Sequence, residues 1–454
     1  MKQVVRIPGA LTRDRMERRL WCAALEAPLS LPLAAEEVQF AQILAQGEHQ
    51  HRPPNRDFHR RNGAQYLTAW QTGNLAILQD DDGEWFNEAL QQGNLNWIME
   101  SLYTAFYDHW QDDYQYVTFL MVRDLGFFAA FYQPVANTTK GIGYDAIVGA
   151  EKFDTTPDTQ VEGLIFMNYY GIWSDAPVVG RYVFGQEFGH RWGAFCNVES
   201  DGVDPGVLLG RDVAHWSYWL DTTNSPMEGN DWTDNGDGSW TNDVSSASTY
   251  SDLDLYLMGL IPSDDVGPQT MLLVDEAEQA RVGRDPAATP EVFGERGELT
   301  VTATPWGFSV DDIIAAEGPR DPDWQTSPKN FRMAIVILVL QDDKFSERVI
   351  GDLDGVRTRW ESEWETDVRG LANLDTTLGS SDAPTWGEAV DSGDSGAVDD
   401  SGTSDAGALA DDDDGGGAAA PAGCGCASDP TPLRRWSFSG ALVAFAAALA
   451  RRRR

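Results

Sequence analysis

Cysteine and positive charge are both scarce in this sequence. Cys22, Cys196, Cys424 and Cys426 are the only cysteines among 454 residues, which is too few for the disulfide framework of a small secreted domain. The chain has 33 Lys and Arg against 72 Asp and Glu, so its formal net charge is -39 at pH 7. Such a charge argues against nucleic acid as a partner, because little here would neutralise a phosphate backbone. It fits an exported protein that its charge keeps soluble.

Histidine is rare as well, with six in the chain. His49, His51 and His59 lie in a polar, proline-containing connector that is typical of a solvated loop. His109 falls at the end of a predicted helix. His190 and His215 are therefore the only pair in the later part of the chain that could bind a metal together.

Aromatic residues make up 11% of the sequence, which predicts a large packed domain rather than a disordered chain. Apolar spacing predicts helices at 34–48, 85–110, 180–192, 253–260, 309–317 and 345–371. It predicts strands at 66–78, 117–122, 127–132, 161–173 and 331–340. This mixture indicates an α+β fold that extends over residues 61–378.

The two ends of the chain have compositions unlike the middle. Residues 1–60 are predicted to be a leader and connector, with a weak export signal or a poorly ordered segment as the two readings. Residues 379–423 contain mostly Asp, Gly, Ser and Ala, which predicts a disordered acidic linker. Within residues 424–454, the apolar run 436–450 between arginine clusters predicts a short transmembrane helix, with the large domain outside.

The chemistry is predicted to centre on Gly185–Gly193, which reads GQEFGHRWG. In an H-E-x-x-H helix, two histidines four residues apart bind zinc and the intervening Glu activates a water molecule. Here Glu187 and His190 match, but Gln186 stands where the first histidine belongs. A neutral amide oxygen is a weaker ligand than imidazole, so zinc affinity should fall.

Helical spacing places Gln186, Glu187 and His190 on one arc, where a substrate could reach them. Phe184, Phe188 and Trp192 form the opposite, core-facing arc. A zinc ion needs a third protein ligand, for which His215 is the candidate, with Asp221 or Glu199 as carboxylate substitutes.

Several motifs together resemble a family of myxobacterial exported zinc metallopeptidases, whose helix motif is H-E-x-G-H-R-W. They are GQEFGHRWGAF at 185–195, HWSYWLD at 215–221, SPMEGNDW at 225–232, NGDG at 235–238 and LDLYLMGLIP at 253–262. The resemblance covers most of residues 86–378. It implies a zincin-like fold, Glu187 as general base, His190 and His215 as zinc ligands, and a peptide or protein substrate. It also implies that Met227 underlies the site as a Met-turn, although a core methionine is the alternative.

The C-terminal tail resembles a second type of sequence, the myxobacterial C-terminal sorting signal (MYXO-CTERM). Its parts are GCGCA from Gly423, the apolar run 436–450 and the four terminal arginines. This resemblance implies export, processing near Cys424 by a sorting machinery, and display in the cell envelope or at the cell surface.

A second metal is suggested by the loop 230–242, where Asp231, Asp234 and Asp237 could hold calcium through oxygen ligands. The alternative is a solvated turn, because the spacing of an EF-hand is incomplete.

Three functions stay open after the sequence has been read. The first is a surface-displayed metallopeptidase that cleaves peptides with a metal-activated water. The second is a catalytically inactive zincin-like domain that binds a peptide or another surface component. The third is a purely structural surface protein, which the presence of Glu187 disfavours.

Overall fold

A computed structural model describes residues 34–46, 63–125, 130–144, 160–244, 248–290 and 297–386. The predicted α+β class is confirmed, because the described residues contain several sheets and many helices. Their α-helices are α1 (Ala35–Leu44), α2 (Glu84–Gln92), α3 (Leu95–Tyr107), α4 (Tyr170–Asp175), α5 (Pro177–Gly189), α6 (Asp252–Leu257), α7 (Glu276–Val282), α8 (Val310–Glu317) and α9 (Glu347–Asp367).

The strands form one large sheet and two small ones. They are β1 (Thr68–Thr72), β2 (Leu75–Gln79), β3 (Tyr116–Met121), β4 (Phe131–Pro134), β5 (Gly163–Tyr169), β6 (Trp216–Asp221), β7 (Glu228–Asn230), β8 (Trp232–Asp234), β9 (Ser239–Asn242), β10 (Gln269–Leu273), β11 (Thr300–Thr302), β12 (Thr304–Phe308), β13 (Asn330–Val339) and β14 (Asn373–Asp375). The large sheet has the order β1-β2-β13-β3-β5-β4, and β14 pairs with β13. Neighbours from β2 to β5 run parallel, whereas β1 and β4 at the two ends are antiparallel to their neighbours.

The large sheet is buried on both faces, as its apolar strands require. Alternate residues of β13 enter two different cores: Ile335 and Ile337 point to one, and Val336 and Leu338 to the other. A parallel sheet needs cover on both faces. Helices α1, α2 and α3 supply that cover on the side of Val336.

Helices α5 and α9 cover the opposite face through stacked aromatic rings. Phe188 lies 4.0 Å from Tyr116 of β3 and 4.3 Å from Trp364 of α9, measured between ring centroids. Phe184 and Trp192 belong to the same core. The predicted aromatic arc of α5 is therefore confirmed, and it fixes the motif helix against the sheet.

The two small sheets have the orders β12-β10-β6-β7 and β11-β9-β8. They contain strands of three to six residues, none of which apolar spacing predicted. They matter here because β6 and β7 bring the segment 211–230 back onto α5.

Several predicted boundaries differ from the structure. The strand predicted at 66–78 is the hairpin of β1 and β2, and the helix predicted at 180–192 is Pro177–Gly189, so that His190 caps it and Trp192 follows it. Strand β5 ends at Tyr169 rather than at 173, because the chain turns into α4 and the Trp173 indole donates back to the Met167 carbonyl at 2.6 Å. The packed chain also continues beyond 378, since Trp386 packs edge-on against Trp70 with ring centroids 5.7 Å apart.

The predicted leader (1–33 and most of the connector), the linker from 387 and the sorting tail lie outside the described residues. Within the described part of the chain, no helix combines the length and apolar character that crossing a bilayer requires. The predicted transmembrane helix 436–450 is not in that part.

Candidate functional site

The motif side chains lie on the last turn of α5 and are buried. The exposed fractions are 7% for Gln186, 4% for Glu187 and 1% for His190. The prediction that this arc faces accessible space is wrong for the described structure. The physical reason is that the segment Ser225–Asn230 packs over the helix.

Two glycines of α5 make that packing possible. A Cβ at Gly189 would lie 2.3 Å from the Met227 sulfur, and one at Gly185 would lie 3.2 Å from the Pro226 ring. The Tyr250 hydroxyl donates to the Gly185 carbonyl at 2.5 Å and closes the same face. Met227 therefore lies directly against the motif helix and is buried in the same core, so that the Met-turn and the core methionine both stay predictions.

The two histidines predicted as ligands lie together. Their ring centroids are 4.7 Å apart and the rings are perpendicular, at 89°. His215 Nδ1 is 2.8 Å from the Arg211 carbonyl, and His190 Nδ1 is 3.3 Å from the Gly193 carbonyl. Because a carbonyl only accepts, these contacts assign the proton to Nδ1 and leave Nε2 of each ring as the acceptor.

Glu228 is a site residue that the sequence did not single out. Its side chain is 1% exposed, and its Oε1 accepts a hydrogen bond from Gln186 Nε2 at 3.1 Å. The same oxygen is 3.8 Å from His215 Nε2. The backbone of Glu228 is left-handed, with φ of 77°, a conformation that disfavours residues with a Cβ by roughly 1–2 kcal/mol. The only sequence signal was its place in SPMEGNDW.

Arg211 joins Glu228 to His215. Its Nε and Nη2 donate to Glu228 Oε1 at 3.2 and 2.6 Å, and Nη2 is 2.9 Å from His215 Nε2. The Arg211 side chain is 33% exposed, so it enters this buried group from the surface. No sequence motif pointed to it.

The charges in this group shift one another's pKa values. Burial raises the pKa of Glu228, and the charge and hydrogen bonds of Arg211 lower it, with a net rise. Burial lowers the pKa of Arg211, but Glu228, then Asp212 and Glu187, raise it, again with a net rise. Arg211 is thus the cation of a group with several carboxylates.

The residues as arranged do not fit a catalytic zinc ion. Gln186 directs its amide nitrogen, a donor, at Glu228, and the His215 Nε2 lone pair already faces the Arg211 guanidinium. Among the described residues, no group of three or more His, Cys, Asp or Glu is arranged to hold a metal ion. Of the proposed substitutes, Asp221 accepts a hydrogen bond from the Trp232 amide at 3.3 Å, and the Glu199 side chain is exposed.

A buried carboxylate outside this group holds the covering segment in place. Asp254 accepts from the Trp216 indole at 2.7 Å, the Ser225 hydroxyl at 2.6 Å and the Ser251 hydroxyl at 2.6 Å. It thereby ties the start of the segment Ser225–Asn230 to the start of β6.

The predicted calcium loop is a β-hairpin of β8 and β9. Asp234 accepts from the Gly236 amide at 2.8 Å, and Asp237 accepts from the Ser239 amide and hydroxyl at 3.0 and 2.6 Å. The serine hydrogen bonds lower the pKa of Asp237. These carboxylates thus stabilise their own turn. Calcium at Asp231, Asp234 and Asp237 stays a prediction.

Comparisons with known proteins identify no relative of this chain. No protein-family model, curated protein sequence or solved structure matches it. The class of protein must therefore be argued from the fold and from the side chains that meet on α5.

Proposed function

We propose that this chain carries a zincin-like domain that binds a peptide or protein partner and does not use its helix motif for metal-dependent hydrolysis. The zincin-like part is supported by the path of the chain. Strand β5 leads through α4 into the motif helix α5, and the antiparallel strand β4 ends the sheet beside β5. This is the arrangement in which zinc peptidases hold an extended peptide beside the motif helix.

The observation that carries the metal-free part is the position of the Arg211 guanidinium. A zinc ion shared by His215 Nε2 and Glu228 Oε1 would lie about 2.0–2.2 Å from each atom. Arg211 Nη2 already contacts both atoms, 2.9 Å from the nitrogen and 2.6 Å from the oxygen. The ion and the guanidinium would compete for the same lone pairs and repel each other.

The side-chain amide of Gln186 supports the same conclusion. Its amide nitrogen donates to Glu228 Oε1 at 3.1 Å, whereas a histidine there would supply a lone pair. The negative charge of Glu187 also raises the pKa of Arg211 and so favours the charged guanidinium. In this proposal the side chain of Arg211 takes the place that a zinc ion has beside an H-E-x-x-H helix.

The experiment compares binding with turnover in one assay. A peptide library is passed over the immobilised full-length chain, retained and released peptides are read by mass spectrometry, and bound zinc is measured. We expect peptides to be retained uncut, with no stoichiometric zinc. Zinc at one ion per chain, with cleavage that Glu187→Gln abolishes, would overturn the proposal, as would a failure to retain any peptide.

A gain-of-function variant tests the role assigned to Arg211. Gln186→His combined with Arg211→Met supplies the missing imidazole and removes the competing cation, so we expect it to bind zinc. Gln186→His alone should bind zinc more weakly, and Gln186→His with Arg281→Met is the matched control, since Arg281 is an exposed arginine paired with Glu278. Equal zinc binding by all three would show that Arg211 is no barrier.

The metallopeptidase of the sequence analysis is the second candidate function. The histidine pair favours it, because both rings have Nδ1 held by a backbone carbonyl, as ring nitrogens opposite a metal usually are. The assay above decides between the two candidates.

The proposal also includes export and surface display, which the C-terminal tail alone supports. The resemblance of residues 424–454 to a sorting signal supports processing near Cys424, with the helix 436–450 in the membrane before processing. Fractionation of cells that express the wild-type chain and Cys424→Ala tests this. We expect the wild type at the surface and the variant retained; identical distributions would contradict processing at that position.

A further inference from the structure

A polar cavity lies beyond the end of the motif helix, next to Arg191 and Trp192. Its volume is about 110 Å³, and its walls also include Thr138, Glu162, Arg320 and Pro328. Thr138 and Pro328 are exposed, so the cavity opens to solvent there. A water molecule occupies about 30 Å³ of liquid, so the space is sufficient for a small polyatomic ion.

Two buried arginines line this cavity. Arg191 is 6% exposed and Arg320 is 8% exposed. Arg191 forms an ion pair with Glu162. Arg320 donates to the Leu257 carbonyl at 2.7 Å and to the Pro322 carbonyl and the Ser327 hydroxyl, and no ion pair within the described ranges includes it. Two positive charges therefore face one carboxylate.

The guanidinium of Arg191 is fixed in position but incompletely bonded. It lies over the Trp192 ring, 4.9 Å from the centroid, and Asn137 donates to the Arg191 carbonyl at 2.6 Å. Its Nε and Nη1 are buried and form no well-aligned hydrogen bond among the described residues. Burial raises the pKa of the neighbouring Tyr116 hydroxyl overall, whereas the charge of Arg191 and a side-chain hydrogen bond from it lower that pKa. Buried donors of a charged group normally have acceptors.

Repulsion between the two arginines affects the pKa of Arg320. Burial and then the nearby charge of Arg191 lower the pKa of Arg320 to about 10, against smaller opposing effects of Tyr256, Asp321 and Asp323. Asp323 itself is exposed and accepts hydrogen bonds from the following turn. A local excess of positive charge is notable in a chain whose net charge is -39.

We infer that the cavity between Arg191 and Arg320 binds a small oxyanion, either a tetrahedral inorganic ion or the carboxylate of an organic ligand. An oxyanion would be attracted by the two guanidinium groups that line the cavity and would offset the unbalanced charge of Arg320. The inference does not depend on whether the motif of α5 holds a metal, because no site residue of that motif lines the cavity.

The test is calorimetric titration of the full-length chain with sodium phosphate, sodium sulfate and sodium acetate, at an ionic strength held constant with sodium chloride. We expect saturable binding of one ion per chain and a rise in melting temperature with the same ion. Binding of phosphate or sulfate alone identifies a tetrahedral ligand. Binding of acetate alone identifies a carboxylate ligand.

Three variants connect the binding to the cavity. Arg320→Gln should weaken the affinity at least about tenfold, because it removes a charged donor. Thr138→Glu places a carboxylate at the exposed mouth and should weaken binding without disturbing the buried arginines, which covers the case in which Arg320→Gln does not fold. Arg281→Gln, an exposed arginine, should bind like the wild type. Absence of binding by all three ions, or binding that Thr138→Glu and a folded Arg320→Gln leave unchanged, would overturn the inference.

Discussion

Replacing Arg211 with methionine should destabilise the protein through the carboxylate that it leaves behind. Methionine keeps much of the length of the side chain but removes the charge and both hydrogen bonds to Glu228 Oε1. Glu228 is 1% exposed, so water cannot replace the lost partner. The Gln186 amide is then its remaining described hydrogen-bond donor.

The magnitude follows from the burial of the two partners. Breaking a fully buried ion pair costs roughly 3–5 kcal/mol, because an uncompensated charge remains. The Arg211 side chain is 33% exposed, so solvent already screens part of the interaction. We therefore expect Arg211→Met to lower the free energy of unfolding by about 2–3 kcal/mol near pH 8.

The pH dependence separates this explanation from a simple loss of packing. Burial already raises the folded-state pKa of Glu228 above its ordinary value of 4.5, and loss of Arg211 should raise it further. A carboxyl group whose folded pKa is raised contributes stability that is complete below about pH 4.5 and is lost as the pH rises through the folded pKa. The gap between variant and wild type should therefore be small near pH 4 and widen towards pH 8.

Urea unfolding at several pH values measures that gap, and a double-mutant cycle with Glu228→Gln identifies its cause. We expect the double variant to recover part of the lost stability and to lack the pH-dependent component. A gap below about 1 kcal/mol that stays constant with pH would refute the reasoning, because it would mean that the pair contributes no more than an exposed one.

Two further substitutions test the packing around α5. Gly189→Ala should destabilise the protein by about 1–3 kcal/mol, because its Cβ would meet the Met227 sulfur at 2.3 Å. Gly180→Ala is the control, since its Cβ has only ordinary contacts, and it should be neutral or slightly stabilising in thermal unfolding. Equal effects of the two substitutions would contradict close packing at Gly189. Asp254→Asn should cost about 2–4 kcal/mol in urea unfolding, because it replaces an acceptor oxygen with an amide donor that faces the donors of Trp216 or of Ser225 and Ser251. Asp252→Asn, at an exposed ion pair on the same helix, should change stability by less than about 1 kcal/mol, and a reversal of that order would exclude Asp254 as the anchor.

The parts of the fold that the sequence predicted are those set by local spacing. Phe184, Phe188 and Trp192 recur every four residues, so their common face can be read directly, and the structure buries it. The split of 85–110 into α2 and α3 has an equally local cause, since Gly93 adopts φ of 58° and the Asn94 side chain caps α3.

The candidate site was predicted only in part because its contacts are not local. Gln186 and Glu228 are 42 residues apart and Arg211 and Glu228 are 17 apart. They meet through a segment with left-handed residues, including Glu228, and through strands too short to show a period. His190 and His215 were found because histidines are few. Arginine and glutamate are common, so nothing distinguished Arg211 or Glu228.

The left-handed backbone of Glu228 has a consequence for how this protein can evolve. Glycine at that position would relax the backbone, but it would also remove the carboxylate and leave the Arg211 guanidinium without it. Loss of Arg211 first would leave a buried negative charge instead. Each single substitution should therefore be less stable than the double substitution. Evolution away from this pair would then pass through a less stable intermediate or require both residues to change together. Selection for heat resistance alone should therefore preserve the pair even where its function is no longer needed.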